Sequence, residues 1–189
     1  MGQFKLEDEW LETQIGHIEK GTYVDFGAGD PGISNTWDLY KRGWRGLCLD
    51  AIEEEAAYVA SVRPEDIVVA CALGPWNGEV TILVHGGNTS IDSVRPYDIG
   101  HFKPRKVSCR RPMDVLSNWP QFLDKAIDFC SIDIEEAEQF VVPMIDWRRF
   151  RPNLMMIEIT HDSSWEWAVL PFYEVAYTDG CNTFYQRKP

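Results

Sequence analysis

The chain has 189 residues, of which 44% are hydrophobic and 13% aromatic, with eight tryptophans among them. That is enough apolar material for one folded core and excludes a disordered chain. A net charge of −12 argues against wrapping duplex nucleic acid, which needs a basic face, and no apolar run approaches the roughly 20 residues of a bilayer span.

The first ten residues, MGQFKLEDEW, lack the basic start of a secretory leader, and Leu6 fills the slot where a myristoylation signal wants Ser or Thr. Cysteines stand at 48, 71, 109, 130 and 181, with no C-x-x-C, and Cys48, Cys71 and Cys130 lie in apolar segments. We therefore expect reduced thiols in a cytoplasmic protein, not a disulfide frame or a zinc site.

Residues 6–19 place Leu6, Trp10, Leu11, Ile15 and Ile18 on one stripe, which predicts an amphipathic helix. TYVDFGAG predicts a short strand ending in glycines, and SNTWDLYKRG a helix capped by Ser34 or Asn35 and closed by Gly43. WRGLCLDA predicts a second strand ending near Asp50, EEEAAYVASV a second helix with acids in its first turn, and EDIVVACALG a third strand. This rhythm is the first half of a doubly wound parallel sheet. GEVTILVHGGNTSIDSV and KVSCRRPMDVL break it, as further strands or an irregular insertion. WPQFLDKAIDFCSIDIE predicts a helix feeding a strand that ends at Asp133, and EAEQFVVPMIDW a helix broken by Pro143. RPNLMMIEIT reads as a buried central strand, and YEVAYTDGCNTFYQRK as a hairpin around Asp179-Gly180.

Gly27-Ala28-Gly29-Asp30-Pro31-Gly32 is a G-x-G-x-x-G, the spacing of a dinucleotide loop. Such a loop offers backbone N–H groups to a pyrophosphate, which Asp25 and Asp30 would repel. S-adenosylmethionine carries no phosphate but has a sulfonium and an ammonium, so the same acids favour it. Asp50 suits the ribose hydroxyls of either cofactor. As plain structure, the glycines are a tight turn, Asp30 a helix cap and Asp50 a strand end.

VDFGAGDPGISNTWDLYKRGWRGLCLD resembles the opening signature of the FkbM-type methyltransferases: an acid-glycine-alanine core, then Ser-Asn-Thr, then Gly-Trp-x-Gly before the second strand. DFCSIDIEEAE resembles that family's second signature, and RPNLMMIEI and YTDGCNTFYQRK fit its last strands, so the likeness runs from about Tyr23 to Lys188. Two positions depart from the pattern: Asp50-Ala51 stands for the usual Glu-Pro, and Glu136 for a usual Gly.

The resemblance implies an α/β, Rossmann-like class I methyltransferase: a mostly parallel twisted sheet, helices on both faces and a C-terminal antiparallel hairpin. It implies one domain over 1–189, with an N-terminal helix in 1–20 and a cofactor-binding half over 21–74. An insertion that the pattern does not place covers 75–118, and a catalytic and substrate half covers 119–189. We assign S-adenosylmethionine to Asp25, Gly27, Ala28, Gly29 and Asp30 in the loop, to Ser34, Asn35 and Thr36 after it, and to Asp50, Ala51, Ala72, Leu73 and Asp133.

For catalysis the candidates are Asp133, Glu135, Glu158 and His161, as base, acceptor-holder or ligands of a hard divalent metal. No tight ligand spacing favours the metal, and Glu135 could equally lie on a helix turn and His161 cap a strand. His85 and His101 fit surface or packing roles. Asn88 to Val94 resembles a polar substrate loop and is equally a connector. Trp119, Trp147, Trp165 and Trp167 read as packing, the last two alternatively as a stacking wall. The basic run KPRKVSCRR, residues 103–111, reads as a solvated face or as one that meets an anionic substrate.

The expected activity is methylation of a hydroxyl on a small-molecule or carbohydrate-like acceptor. A nicotinamide-dependent oxidoreductase and a non-catalytic cofactor-binding module are the alternatives.

Overall fold

The computed structural model describes residues 5–85, 102–159 and 163–189, with side chains from residue 9 on except at 85 and 102. Its centre is β1 (Thr22–Phe26), buried on both faces apart from Thr22. On one side β1 pairs in parallel with β2 (Arg45–Asp50), which pairs in parallel with β3 (Ile67–Ala70). On the other side it pairs in parallel with β7 (Ala126–Ile132), and β7 with β8 (Arg151–Glu158). Beyond β8, β10 (Asn182–Arg187) runs antiparallel, and β9 (Tyr173–Thr178) pairs antiparallel with β10 around the Asp179-Gly180 turn. The order is β3-β2-β1-β7-β8-β10-β9, a mostly parallel sheet with an α/β chain path.

Alternation along β1 sends its side chains to two cores. Val24 and Phe26 join Leu47, Leu49, Cys130 and Ile157, covered by α4 (Pro112–Leu116), α5 (Glu138–Val141) and α6 (Glu166–Val169). Tyr23 joins Cys48, Phe129 and Phe184 on the opposite face, covered by α1 (Lys5–Ile15), α2 (Trp37–Lys41) and α3 (Glu53–Val62). With both faces covered, β1, β2 and β7 are nearly continuous apolar runs.

Several elements differ from the sequence reading. Helix α1 stops at Ile15 because Gly16 N closes its last turn on Glu12 O (2.8 Å), and Arg42 Nη2 then takes the Gly16 carbonyl (2.9 Å). Neither Ser34 nor Asn35 caps α2; Thr36 holds the N-cap position without a side-chain cap, since all three side chains are engaged elsewhere. EDIVVACALG is not one strand. Cys71 N bonds to Asp50 O (2.8 Å), and the chain then turns so that β4 (Ala72–Leu73) enters a second sheet.

That sheet, of order β4-β6-β5, takes in two stretches of the segment the pattern did not place, Gly78–His85 and Phe102–Arg110. β5 (Gly78–His85) and β6 (Phe102–Arg110) pair antiparallel, and β4 lies parallel to β6. Val80, Ile82 and Val84 of β5 share a small core with Val107, Ile52 and Ala72, which docks this sheet beside the large one. The helix expected after Trp119 is only a 3-10 turn, Pro120–Phe122, and β7 ends at Ile132, one residue before Asp133. All cysteines among the described residues are free, and only Cys181 is exposed. No helix in the described residues is long and apolar enough to cross a membrane.

Candidate functional site

Between β1 and β7 the chain order of the large sheet reverses, and open α/β sheets form their ligand crevice at such a point. Here a cavity of about 560 Å³ opens at the C-terminal ends of β1, β2 and β7 and continues along β5 of the small sheet.

Gly27 begins its floor. Its N–H and that of Ala28 both donate to Leu49 O (3.0 and 2.9 Å), tying the loop to the end of β2. Gly27 sits at φ 91°, and a Cβ there would lie 1.7 Å from the Asp133 carbonyl oxygen. Only glycine lets the two strand ends come this close. Asp50 completes the loop: one carboxylate oxygen accepts Gly29 N–H (3.0 Å) and the other accepts Ile52 N–H (2.8 Å). Burial raises its pKa against those two hydrogen bonds.

Asp133 and Glu158 form a hydrogen-bonded carboxyl pair at the ends of β7 and β8. Burial raises both pKa values, and the charge of Glu158 raises that of Asp133 further. The pair therefore holds one shared proton well above the ordinary carboxylate range. Asn35 hydrogen-bonds to Asp133, which favours the ionised carboxylate, and its Nδ2 donates to Ser131 Oγ (3.2 Å). Glu158 Oε2 is buried, without a hydrogen-bond partner among the described residues.

Of the residues assigned from sequence, Gly27, Ala28, Gly29, Ser34 and Asn35 line this cavity. So do Asp50, Ala51, Ala72, Leu73, Asp133 and Glu135, while Glu158 backs Asp133. His161 and residues 88–94 and 101 lie outside the described residues.

Asp25, Asp30 and Thr36 do not line it. Asp25 is 1% exposed and turned into the protein, where Thr36 Oγ1 and Ser34 Oγ (3.3 Å) donate to it. Its charge is answered by Arg63, itself fully buried, whose Nη1 lies 3.9 Å away. Arg63 also donates to Thr36 Oγ1 (2.7 Å) and Ser34 Oγ (2.6 Å). Asp30 is exposed on the outer side of the loop, its Oδ1 accepting Gly32 N–H (2.6 Å). The electrostatic preference read from Asp25 and Asp30 thus belongs to other acids: Asp50, Asp133, Glu135 and Glu136 present the carboxylates of the cavity.

The sequence profile of the methyltransferase FkbM domain matches residues 25–178. The chain belongs to that family. No curated protein matches the sequence. Solved structures similar in shape include the following two. A TehB-like SAM-dependent methyltransferase from Corynebacterium glutamicum aligns with TM-score 0.46 and 12% identity over 89% of this chain and 80% of its own. A putative RNA methyltransferase from Pyrococcus horikoshii aligns with TM-score 0.48 and 10% identity over 97% and 82%.

In this FkbM domain the turn after β7 is where one departure from the family pattern meets backbone strain. Glu135 and Glu136 have φ of 56° and 72°, the left-handed region that favours glycine. A family glycine at 136 meets no strain there; Glu136 does, and Glu138 Oε1 secures the turn by accepting Ile134 N–H (2.7 Å). No Lys or Arg of the basic run is among the residues lining the cavity, although Cys109 is; Arg105 pairs with Glu54 and Arg111 with Asp114. Trp165 is buried edge-on against Tyr185, and neither it nor exposed Trp167 reaches the cavity. Among the described residues no three His, Cys, Asp or Glu side chains come together as a metal-holding group. Sequence reasoning missed Arg63, Ser131 and the cavity wall from Trp76 to Val84, since nothing in their local pattern marks which side chains meet the glycine loop.

Proposed function

We propose that this FkbM domain is an S-adenosylmethionine-dependent methyltransferase acting on a hydroxyl of a small-molecule acceptor, carbohydrates being one such class. One observation carries the choice of cofactor. The described residues lining the cavity include the acids Asp50, Asp133, Glu135 and Glu136 and not one Lys or Arg. A pyrophosphate placed there meets like charge in a partly desolvated crevice, at a cost of several kcal/mol. A sulfonium and an ammonium meet opposite charge. The residues present therefore fit S-adenosylmethionine, which supplies a methyl group on a positively charged sulfur.

Gly27, Ala28 and Gly29 offer backbone against the cofactor, and the carboxylate of Asp50 stands at the β2 end, where ribose hydroxyls are bound in folds of this kind. Asp133 and Glu158 act as the base. In its ionised form the pair accepts the acceptor's hydroxyl proton as that oxygen attacks, and the proton stays on the pair until solvent removes it. Asn35 holds Asp133 in place, so that the base is oriented before the acceptor arrives.

Thermal melts with S-adenosylhomocysteine and with NADH test the reading. A ligand at about 100 times its Kd stabilises the fold by about 2.7 kcal/mol. Stabilisation by S-adenosylhomocysteine alone is expected; stabilisation by NADH alone would overturn the assignment.

A further inference from the structure

The cavity extends past the glycine loop and the Asp133–Glu158 pair into a region whose chemistry differs. Val80, Thr81, Ile82, Leu83 and Val84 of β5 form its wall, apolar but for Thr81, with Val107 packed against it. At its rim stand Ile33 from the loop before α2, Trp76 from the β4–β5 turn and Phe140 from α5. These three are 72%, 50% and 55% exposed, among few large apolar side chains left open to water in the described residues. Three separate elements thus bring exposed apolar groups to one opening, and Trp76 is steadied there by its indole N–H on Glu79 O (3.3 Å). Leaving such groups in water is unfavourable, and a contiguous cluster of them marks a binding surface.

Charge narrows the occupant. Every ionisable group among the described lining residues is an acid or a thiol, and of the cations of β6 Arg105 is paired with Glu54. An acceptor carrying phosphate or carboxylate is repelled. A sugar would bring several hydroxyls against a wall of Val80, Ile82, Leu83 and Val84 in which Thr81 is the one hydroxylated side chain, at a desolvation cost of about 1–3 kcal/mol for each hydroxyl left unpaired.

We infer that the acceptor is an uncharged alcohol with an apolar, ring-sized body, held by Trp76, Phe140 and Ile33 while its hydroxyl faces Asp133. This rests on the methyltransferase reading above and narrows it from hydroxylated small molecules in general to apolar ones.

The test uses full-length protein with S-adenosylhomocysteine present and calorimetric titration of three probes: naphthol, naphthyl phosphate and methyl glucoside. Naphthol is expected to bind at least about tenfold more tightly than either of the others. Trp76→Ala and Phe140→Ser are each expected to weaken naphthol by about fivefold or more while leaving the Kd of S-adenosylhomocysteine within about twofold. Both side chains are exposed, so the variants keep the core intact. Equal or tighter binding of the glucoside or the phosphate overturns the inference, as does naphthol binding that ignores both substitutions. Variants that weaken S-adenosylhomocysteine instead would assign the wall to the cofactor and likewise overturn it. Failure of S-adenosylhomocysteine to bind, with naphthol still held by Trp76 and Phe140, removes the methyltransferase reading and keeps the apolar site.

Discussion

Asp25 at the end of β1 and Arg63 just past α3 face each other 3.9 Å apart, both closed off from water, with the hydroxyls of Ser34 and Thr36 bridging them. Each hydroxyl donates to the carboxylate and accepts from the guanidinium, so the segment that follows the glycine loop is pinned from both sides. Removing Arg63 leaves a buried carboxylate without its counter-charge. Arg63→Met is expected to cost about 3–5 kcal/mol, and Asp25→Asn in the same chain to recover part of that loss. Urea midpoints of the single and double variants measure it; a double variant that loses the sum of the two single losses would mean that the pair is not coupled.

The Asp133–Glu158 pair makes a prediction about rate. Asp133→Asn is expected to lower kcat by about a hundredfold to ten-thousandfold, the usual worth of a general base, with the Kd of S-adenosylhomocysteine changed little. Because the base must be ionised, and burial raises the pair's pKa values, turnover should rise with pH through neutrality. A flat pH profile in the parent, or full turnover in Asp133→Asn, would assign proton removal elsewhere.

The same raised acids make stability depend on pH in an uncommon direction. Glu138, buried beside the turn after β7, is pushed up to about 7 by desolvation, and Asp133 and Glu158 are raised as well. In the unfolded chain these groups release their protons near pH ~4. Between there and neutrality the folded state binds more protons than the unfolded one, so stability is greatest below that window and falls as pH rises through it, by up to about 1.4 kcal/mol per pH unit for each retained proton. Exposed acids held low by arginines, such as Asp124 beside Arg149, act oppositely but only in stronger acid. Denaturant midpoints across this range should decline with pH, and Glu138→Gln, which keeps an acceptor for Ile134 N–H, should flatten the decline. A midpoint that climbs with pH would contradict these burials.

Glu136 pays for its left-handed backbone. An L-residue there costs about 1–2 kcal/mol relative to glycine, offset in part by glycine's greater freedom in the unfolded chain. Glu136→Gly should therefore raise stability by about 0.5–1 kcal/mol, whereas Glu136→Ala should not, since alanine keeps the strain. Thermal melts of both variants decide this, and a gain for alanine equal to that for glycine would point to charge relief instead of backbone strain.

How much of this was legible in the chain follows from the range of each interaction. The alternation of strands and helices, the glycine turn, Asp50 and Asp133 at strand ends, and the family signatures from Tyr23 to Lys188 are local patterns, set by residues within a few positions of one another. They determined the fold class, the family and the side of the crevice formed by the glycine loop and the strand ends. Whether a given carboxylate meets a ligand is not local. Asp25 and Asp30 looked equivalent in sequence, yet one is neutralised by an arginine 38 positions away (63 − 25) and the other faces outward to cap Gly32. The split of EDIVVACALG, the pairing of β4 with β6 and the apolar wall from Val80 to Val84 likewise depend on strands that meet only after the chain has folded. Period and composition report which residues prefer to be buried; only packing decides what each is buried against, and therefore where charge remains for chemistry.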